Sequence, residues 1–196
     1  MSAHLGQGFI RIIGGKYKGR RLKVASSKVL RPTPNRIRET LFNWLSVPVK
    51  GARCLDLFAG TGALGFEALS RGAAELILIE KHSGCLKQLE TACHELNCKA
   101  QTQIFNKEAL QWLKQTASYS PFDIIFIDPP FNENLWPPTL ASLIKYHHIH
   151  ESSLIYLEAP STWQPADHFN EWTILKSQSA GEVSYYLIKM NKESQG

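Results

Sequence analysis

No stretch of this chain approaches the ~18 consecutive apolar residues that a membrane-spanning helix requires. Its opening, MSAHLGQGFIR, has no basic segment leading into an apolar one, so neither a membrane protein nor a secreted one is expected. Cysteine is sparse: Cys54, Cys85, Cys93 and Cys98 form no Cys-x-x-Cys pair. They read as reduced thiols in a cytoplasmic protein, without a disulfide framework. Acid is nearly missing from the first fifty residues, where Glu39 stands alone against 11 Lys and Arg. That segment carries +10, whereas residues 51–196, with 11 Lys or Arg against 16 acids, carry −5. A basic arm on an acidic body points to a polyanion, nucleic acid first, as the partner of the arm.

What is present is globular. The chain has 196 residues, 43% hydrophobic and 20% charged, enough to bury roughly 70% of its unfolded surface without disulfide or metal. FIRIIGGKYKGRRLKV reads as a β-hairpin, with branched residues alternating with charges around a Gly-rich basic turn. Thr33 and Pro34 form an N-cap and first-turn pair for a helix through about Ser46. Ile37, Leu41, Trp44 and Leu45 stripe that helix, with Arg36 and Arg38 off the stripe. Residues 1–50 are thus read as a basic appendage and 51–196 as the body.

In the body, strand-like runs at 54–58, 75–80, 102–105, 122–128 and 153–159 alternate with helical segments at 63–71, 83–97, 107–117 and 138–146. Such alternation predicts an α/β fold with a parallel sheet covered on both faces. WTILKSQ and VSYYLIKM flank SAGE, which predicts a terminal hairpin and an antiparallel edge.

LDLFAGTGALGFEAL places Gly60, Gly62 and Gly65 between the first strand and its helix, a Gly-x-Gly-x-x-Gly match. The spacing alone says only that a ligand or chain packs close to the backbone there. Asp56 is more telling, because a carboxylate at the loop mouth repels a pyrophosphate and suits an ammonium, as in the methionine part of S-adenosylmethionine. Glu80 ends the second strand, placed to accept the hydroxyls of a ribose.

The fourth strand ends in Asp128-Pro129-Pro130-Phe131 and is expected beside the first. An exocyclic amine of a nucleobase is a poor nucleophile. Asp128 and the Pro129 carbonyl can accept its two N–H groups and turn its lone pair toward a methyl donor. The prolines stiffen the corner, and Phe131 offers a stacking face for an extruded base.

Together, Asp56-x-Phe58-x-Gly60-x-Gly62 and Asp128 to Phe131 resemble the amino-methyltransferase branch of the class I methyltransferases. IRIIGGKYKGRRL, LRPTPNRIRETLFNWL and Ser179-Ala180-Gly181-Glu182-Val183 resemble the RsmD family, bacterial enzymes that methylate guanine N2 in 16S ribosomal RNA. The likeness runs from about Ile10 to Ile188. It implies a Rossmann-like, seven-stranded, mostly parallel sheet with an antiparallel last strand, and S-adenosylmethionine as cofactor. It implies Asp56 and the Gly60–Thr61–Gly62 loop, with Phe58, for the methionine moiety, and Glu80 with Lys81 for the ribose. Glu108 with Ala109 is assigned to the adenine, although the family often has Asp or Asn there and Asn106 competes for the role. Asp128, Pro129, Pro130 and Phe131 are the catalytic set, Asp128 also facing the cofactor. Arg11, Lys16, Lys18, Arg20, Arg21, Arg31 and Arg36 are the expected RNA surface. The implied partner is 16S rRNA in the small ribosomal subunit, guanine 966 being the family's nucleotide, with no membrane, no obligatory protein partner and a monomeric chain.

Two other readings use the same residues: a DNA adenine-N6 methyltransferase, and a non-catalytic RNA-binding module that kept the fold. A basic segment of only fifty residues leaves little room for a DNA target-recognition domain, and acids at 56, 80 and 128 argue for catalysis. Protein-glutamine methylation tends to use Asn in place of Asp128. His147, His148 and His150 lack the spacing of a helical zinc site, so no metal is expected and a polar helix end is. Trp112, Trp136, Trp163 and Trp172 read as packing or surface residues, with Trp136 near the substrate. Asn132 to Pro138 reads as a flap over the target base.

Overall fold

The computed structural model describes residues 8–23, 35–116, 118–163 and 171–191. Arg31 and the Thr33–Pro34 cap lie outside the described residues. A short antiparallel pair, β1 (Phe9–Arg11) and β2 (Arg21–Lys23), is followed by α1 (Asn35–Trp44). The body then runs β3 (Arg53–Asp56), α2 (Ala63–Ser70), β4 (Glu75–Glu80), α3 (Ser83–Glu95), β5 (Thr102–Asn106) and α4 (Ala109–Gln115). It ends with β6 (Phe122–Ile127), α5 (Trp136–Lys145), β7 (Ile149–Pro160), β8 (Trp172–Ala180) and β9 (Val183–Met190).

Strands β3 to β9 form one seven-stranded sheet in the order β5-β4-β3-β6-β7-β9-β8. Strands β3 to β7 pair in parallel, and β9 runs antiparallel between β7 and β8. This is the sheet the alternating pattern and the final hairpin predicted. The fourth strand of the body, β6, does lie beside the first, β3, with Cys54 opposite Ile124 and Asp56 opposite Phe126. Strand order reverses at β3, which opens a crevice at the carboxyl ends of β3 and β6.

Both faces of the sheet are buried, as the near-continuous apolar runs require. One face packs Cys54, Leu76, Leu78, Phe126 and Tyr156 against α1, α2 and the N-terminal hairpin. The other packs Leu55, Ile77, Ile125 and Ile127 against Trp112, Trp136 and Leu140. Ile10, Ile12, Tyr17 and Leu22 of the hairpin belong to the first of these cores, so hairpin and body share one apolar interior.

A polar joint fixes that union. All eight residues of α2 are buried. Its Glu67 accepts the backbone N–H groups of Ile13 and Gly14, each at 2.8 Å. Arg71 Nε lies 2.7 Å from the same carboxylate and Arg38 Nη1 3.7 Å away. Ser70 accepts the Tyr17 N–H at 2.8 Å and donates to the Gly14 carbonyl. Gly15 sits at φ +74° with its Cα so near helix α2 that a Cβ would fall 1.8 Å from the Ser70 oxygen.

Arg38 corrects the helical-wheel reading. It is fully buried, because its guanidinium donates to Asn35 Oδ1 at 2.6 Å and to the Arg11 carbonyl at 2.9 Å, facing Glu67. Of the three histidines, His147, exposed just past α5, fits a polar helix end, and the other two do not. His148 is buried, stacked on Trp112 with centroids 5.7 Å apart and its Nε2 2.8 Å from the Leu113 carbonyl. His150 pairs with Asp123 at 3.1 Å. All four cysteines are buried free thiols. Among the described residues no helix is long and apolar enough to cross a membrane.

Candidate active site

Four acids stand at the carboxyl ends of four adjacent strands: Glu80 on β4, Asp56 on β3, Asp128 just past β6 and Glu158 near the end of β7. Each lies two residues beyond a side chain of the first core, namely Leu78, Cys54, Phe126 and Tyr156. Side chains alternate along a strand, so all four acids point to the face that carries α1 and α2. They line a single cavity of about 550 Å³, walled also by Ile37 of α1 and by Ala180, Gly181 and Val183 of the β8–β9 turn.

Of the residues marked by sequence, Asp56, Phe58, Gly60, Thr61, Glu80, Lys81, Glu108 and Ala109 line this cavity together with Asp128, Pro129, Pro130 and Phe131. Gly62 is not in the lining. It has φ +75°, and a Cβ there would meet the Phe66 ring at 2.5 Å and Leu89 at 2.8 Å, so it packs the loop from beneath. Glu80 holds the loop in place, its two oxygens accepting the N–H groups of Gly60 at 2.8 Å and His82 at 2.7 Å. Asn106 stays outside the cavity lining, its amide donating to the carbonyls of Glu80 and Lys81. Glu108 reaches the lining as the N-cap of α4, accepting the Gln111 N–H at 2.9 Å.

The electrostatics are one-sided. Burial pushes Asp56 up to about 7, against the Gly65 and Phe58 N–H groups that favour its charge, with Glu80 and Glu158 adding to the rise. Burial also holds Asp128 well above the usual carboxylate range, and the neighbouring Glu158 and Asp56 raise it further. Asp128 is half-buried, ringed by protein yet open to the cavity. Among the described residues neither acid has an ion-pair partner. The nearby Lys81 is engaged, its Nζ 2.9 Å from Glu133. Among the described residues five acids line the cavity against two lysines, Lys81 and Lys107, so the enclosure favours positive charge.

Residues 10–189 match the family described as Conserved hypothetical protein 95. The chain is 41% identical over 194 residues to Ribosomal RNA small subunit methyltransferase D of Escherichia coli (strain K12), spanning 98% of this chain and 95% of that one. It is 40% identical over 184 residues to the protein of the same name from Haemophilus influenzae, spanning 93% and 95%. The chain belongs to the RsmD family. Among solved structures, the methyltransferase candidate yhhF of Escherichia coli matches with a TM-score of 0.83 and 39% identity, over 93% of this chain and 98% of that one.

In this RsmD-family chain the segment expected as a flap runs from a 3-10 turn into the start of α5. Residues Phe131–Glu133 form one 3-10 turn, Glu133 bridges to Lys81, and α5 begins at Trp136. Trp136 is behind the site rather than in it: buried, 5.7 Å from the Phe131 ring, with its Nε1 donating to the Glu158 carbonyl at 2.7 Å. Glu158 is the residue that sequence reading missed. The signal was there, since LIYLE ends an apolar run in an acid much as IIFID does at Asp128. Of the basic residues, Arg11, Lys16, Lys18, Arg20 and Arg21 are exposed on the hairpin and Arg36 on α1. Arg36 adjoins Ile37 of the cavity wall, whereas Arg20 donates to the Glu95 carbonyl at 2.6 Å, at the end of α3.

Proposed function

We propose that this chain is a methyltransferase that uses S-adenosylmethionine to modify the exocyclic N2 amine of a guanine in 16S rRNA, guanine 966 on the family's pattern. The observation that carries the reading is the shared cavity, in which Asp56 and the Asp128–Phe131 corner face one enclosed space. The curated relatives at 41% and 40% identity are named as methyltransferases of small-subunit ribosomal RNA.

The residues present fit the cofactor. Asp56 would hold its ammonium group, Glu80 its ribose hydroxyls while keeping the Gly60 loop in place, and Glu108 with Ala109 its adenine. Phe58, Thr61 and Lys81 complete the enclosure. When bound, the cofactor supplies a methyl group on a cationic sulfur. That positive charge favours the ionised forms of Asp56 and Asp128.

On the acceptor side, the Asp128 carboxylate and the Pro129 carbonyl accept the two N–H groups of the amine and aim its lone pair. Pro129 and Pro130 keep the acceptors rigid, because φ is locked and no competing N–H is present. Phe131, 39% exposed and tilted against Trp136, offers a face on which the extruded base stacks. The methylated nitrogen loses its proton readily, and the ionised Asp128 carboxylate beside it is placed to take it up. Arg11, Lys16, Lys18, Arg20, Arg21, Arg31 and Arg36 grip phosphates of the small-subunit RNA. The enzyme works in the cytoplasm as a monomer without an obligatory protein partner, residues 1–50 serving RNA binding and 51–196 catalysis.

The test uses small ribosomal subunits from a strain lacking this gene, incubated with the protein and labelled S-adenosylmethionine. Deproteinised 16S RNA and DNA run in parallel, and nucleosides are read by mass spectrometry. N2-methylguanosine in the rRNA is the expected product. N6-methyladenine in DNA, or no label anywhere, overturns the reading.

A further inference from the structure

Glu158 is a buried acid, 5% exposed, that the methyl-transfer chemistry above does not use. Ile127 pairs with Leu157 across β6 and β7, so Asp128 and Glu158 follow side by side at adjacent strand ends, about 5 Å apart as parallel neighbours are. Both open into the same cavity. The Glu158 carboxylate is held in position: Tyr156, two residues back on the same face, donates its hydroxyl to Oε1 at 2.8 Å. The indole of Trp136 anchors the Glu158 backbone from behind. Burial, with Glu158 next, keeps the Tyr156 hydroxyl far above its ordinary pKa, so it stays a donor throughout the working pH range.

Guanine presents N1–H and N2–H₂ as adjacent donors on one edge. Adenine, turned to offer its own amine, presents an N1 lone pair in place of the N1–H. A second acceptor beside the one that holds the amine therefore matches the first base and opposes the second. Deepening the guanine-N2 reading, on which it rests, we propose that Glu158 is a specificity-determining residue that accepts the N1–H of the target guanine, with Tyr156 as its positioning residue. Selection between purines then comes from a buried polar group left facing a lone pair in the wrong complex, the kind of mismatch that discriminates strongly.

The experiment compares single-turnover methylation of small subunits reconstituted with guanine or with 2-aminopurine at the target position. 2-Aminopurine keeps the N2 amine but has no N1–H. The native enzyme is expected to prefer guanine by ~10²-fold, the scale of a lost buried hydrogen bond to a charged group. Glu158→Gln can turn its amide N–H toward an unprotonated N1. It should slow guanine, spare or quicken 2-aminopurine, and lower the preference at least ~10-fold. Tyr156→Phe, which removes one hydroxyl and keeps the ring, should lower the preference by less while leaving cofactor affinity unchanged. A preference unaltered in both variants overturns the assignment of Glu158. A native enzyme that puts no methyl on guanine N2 at all overturns the functional reading beneath it instead.

Discussion

Glu67 and Asp128 are both enclosed acids on the same side of the sheet, and the protein treats them in opposite ways. Glu67 is surrounded by donors: two backbone N–H groups of the hairpin, Arg71 at 2.7 Å and Arg38 at 3.7 Å. Asp128 and its neighbour Asp56 lie close to each other and to Glu158; among the described residues no cation is paired to Asp128 or to Asp56, and burial raises both. A buried charge costs several kcal/mol unless it is paired. At Glu67 the fold supplies the pairing, and the acid joins two parts of the chain. Asp56 and Asp128 have no cation paired to them among the described residues, and on the reading proposed above a cationic ligand would supply that charge. Burial without a cationic partner, rather than burial alone, is what singles out Asp56 and Asp128 as candidates.

The comparison breaks first at Asp128. Asp128→Ala should cut single-turnover methyl transfer by ~10³-fold or more, as loss of a charge-stabilising group does, with S-adenosylmethionine affinity within a few-fold by calorimetry. Near-native turnover would remove Asp128 from the chemistry. Glu67→Ala should do the reverse, lowering unfolding stability by about 3–5 kcal/mol in a denaturant titration because Arg38 is left buried and unpaired. A small loss there would mean the joint is not held by charge.

Titration sharpens the contrast. An acid raised from 3.8 to about 7 on folding keeps a proton that the unfolded chain gives up. The ligand-free protein should therefore hold the Asp56 share of its stability in full below about pH 4 and lose it as pH climbs through about 7. Ligand affinity runs the other way, rising ~10-fold between pH 6 and 8 as Asp56 ionises. Asp56→Asn should flatten both profiles; an unchanged stability slope would place the titration elsewhere. The smallest effect is expected on the outer surface, where reversing Lys16, Lys18 and Arg21 should weaken RNA binding and reduce the salt slope by about one for each phosphate no longer neutralised. An unaltered slope would mean the hairpin does not meet RNA.

Much of this was legible in the sequence, because the features concerned are local or follow from sheet order. Apolar runs alternating with helices set the order of elements, and once the first and fourth body strands are neighbours, Asp56 and Asp128 must share a crevice. Arg38 was misread because a helical wheel sees only one helix, whereas its burial depends on Glu67, 29 positions away. His148 went to the core because a ring stacked on Trp112, with a carbonyl on one nitrogen, is satisfied without water. Glu158 escaped notice because a lone acid at a strand end has no motif. Its meaning comes from the Ile127–Leu157 register, which puts it beside Asp128.

Helix α2 touches both halves of the molecule. Its amino end continues the glycine loop of the cavity, and its carboxyl end, through Glu67 and Ser70, clasps the basic hairpin. At eight residues it is roughly 12 Å long, rigid and buried on every side. Any phosphate chain seated on the hairpin is thereby kept at a constant offset from the cavity, like a workpiece clamped against a gauge block. If RNA seats on the hairpin as proposed, a nucleotide would be picked out by how far it lies from the clamp as much as by which base it carries.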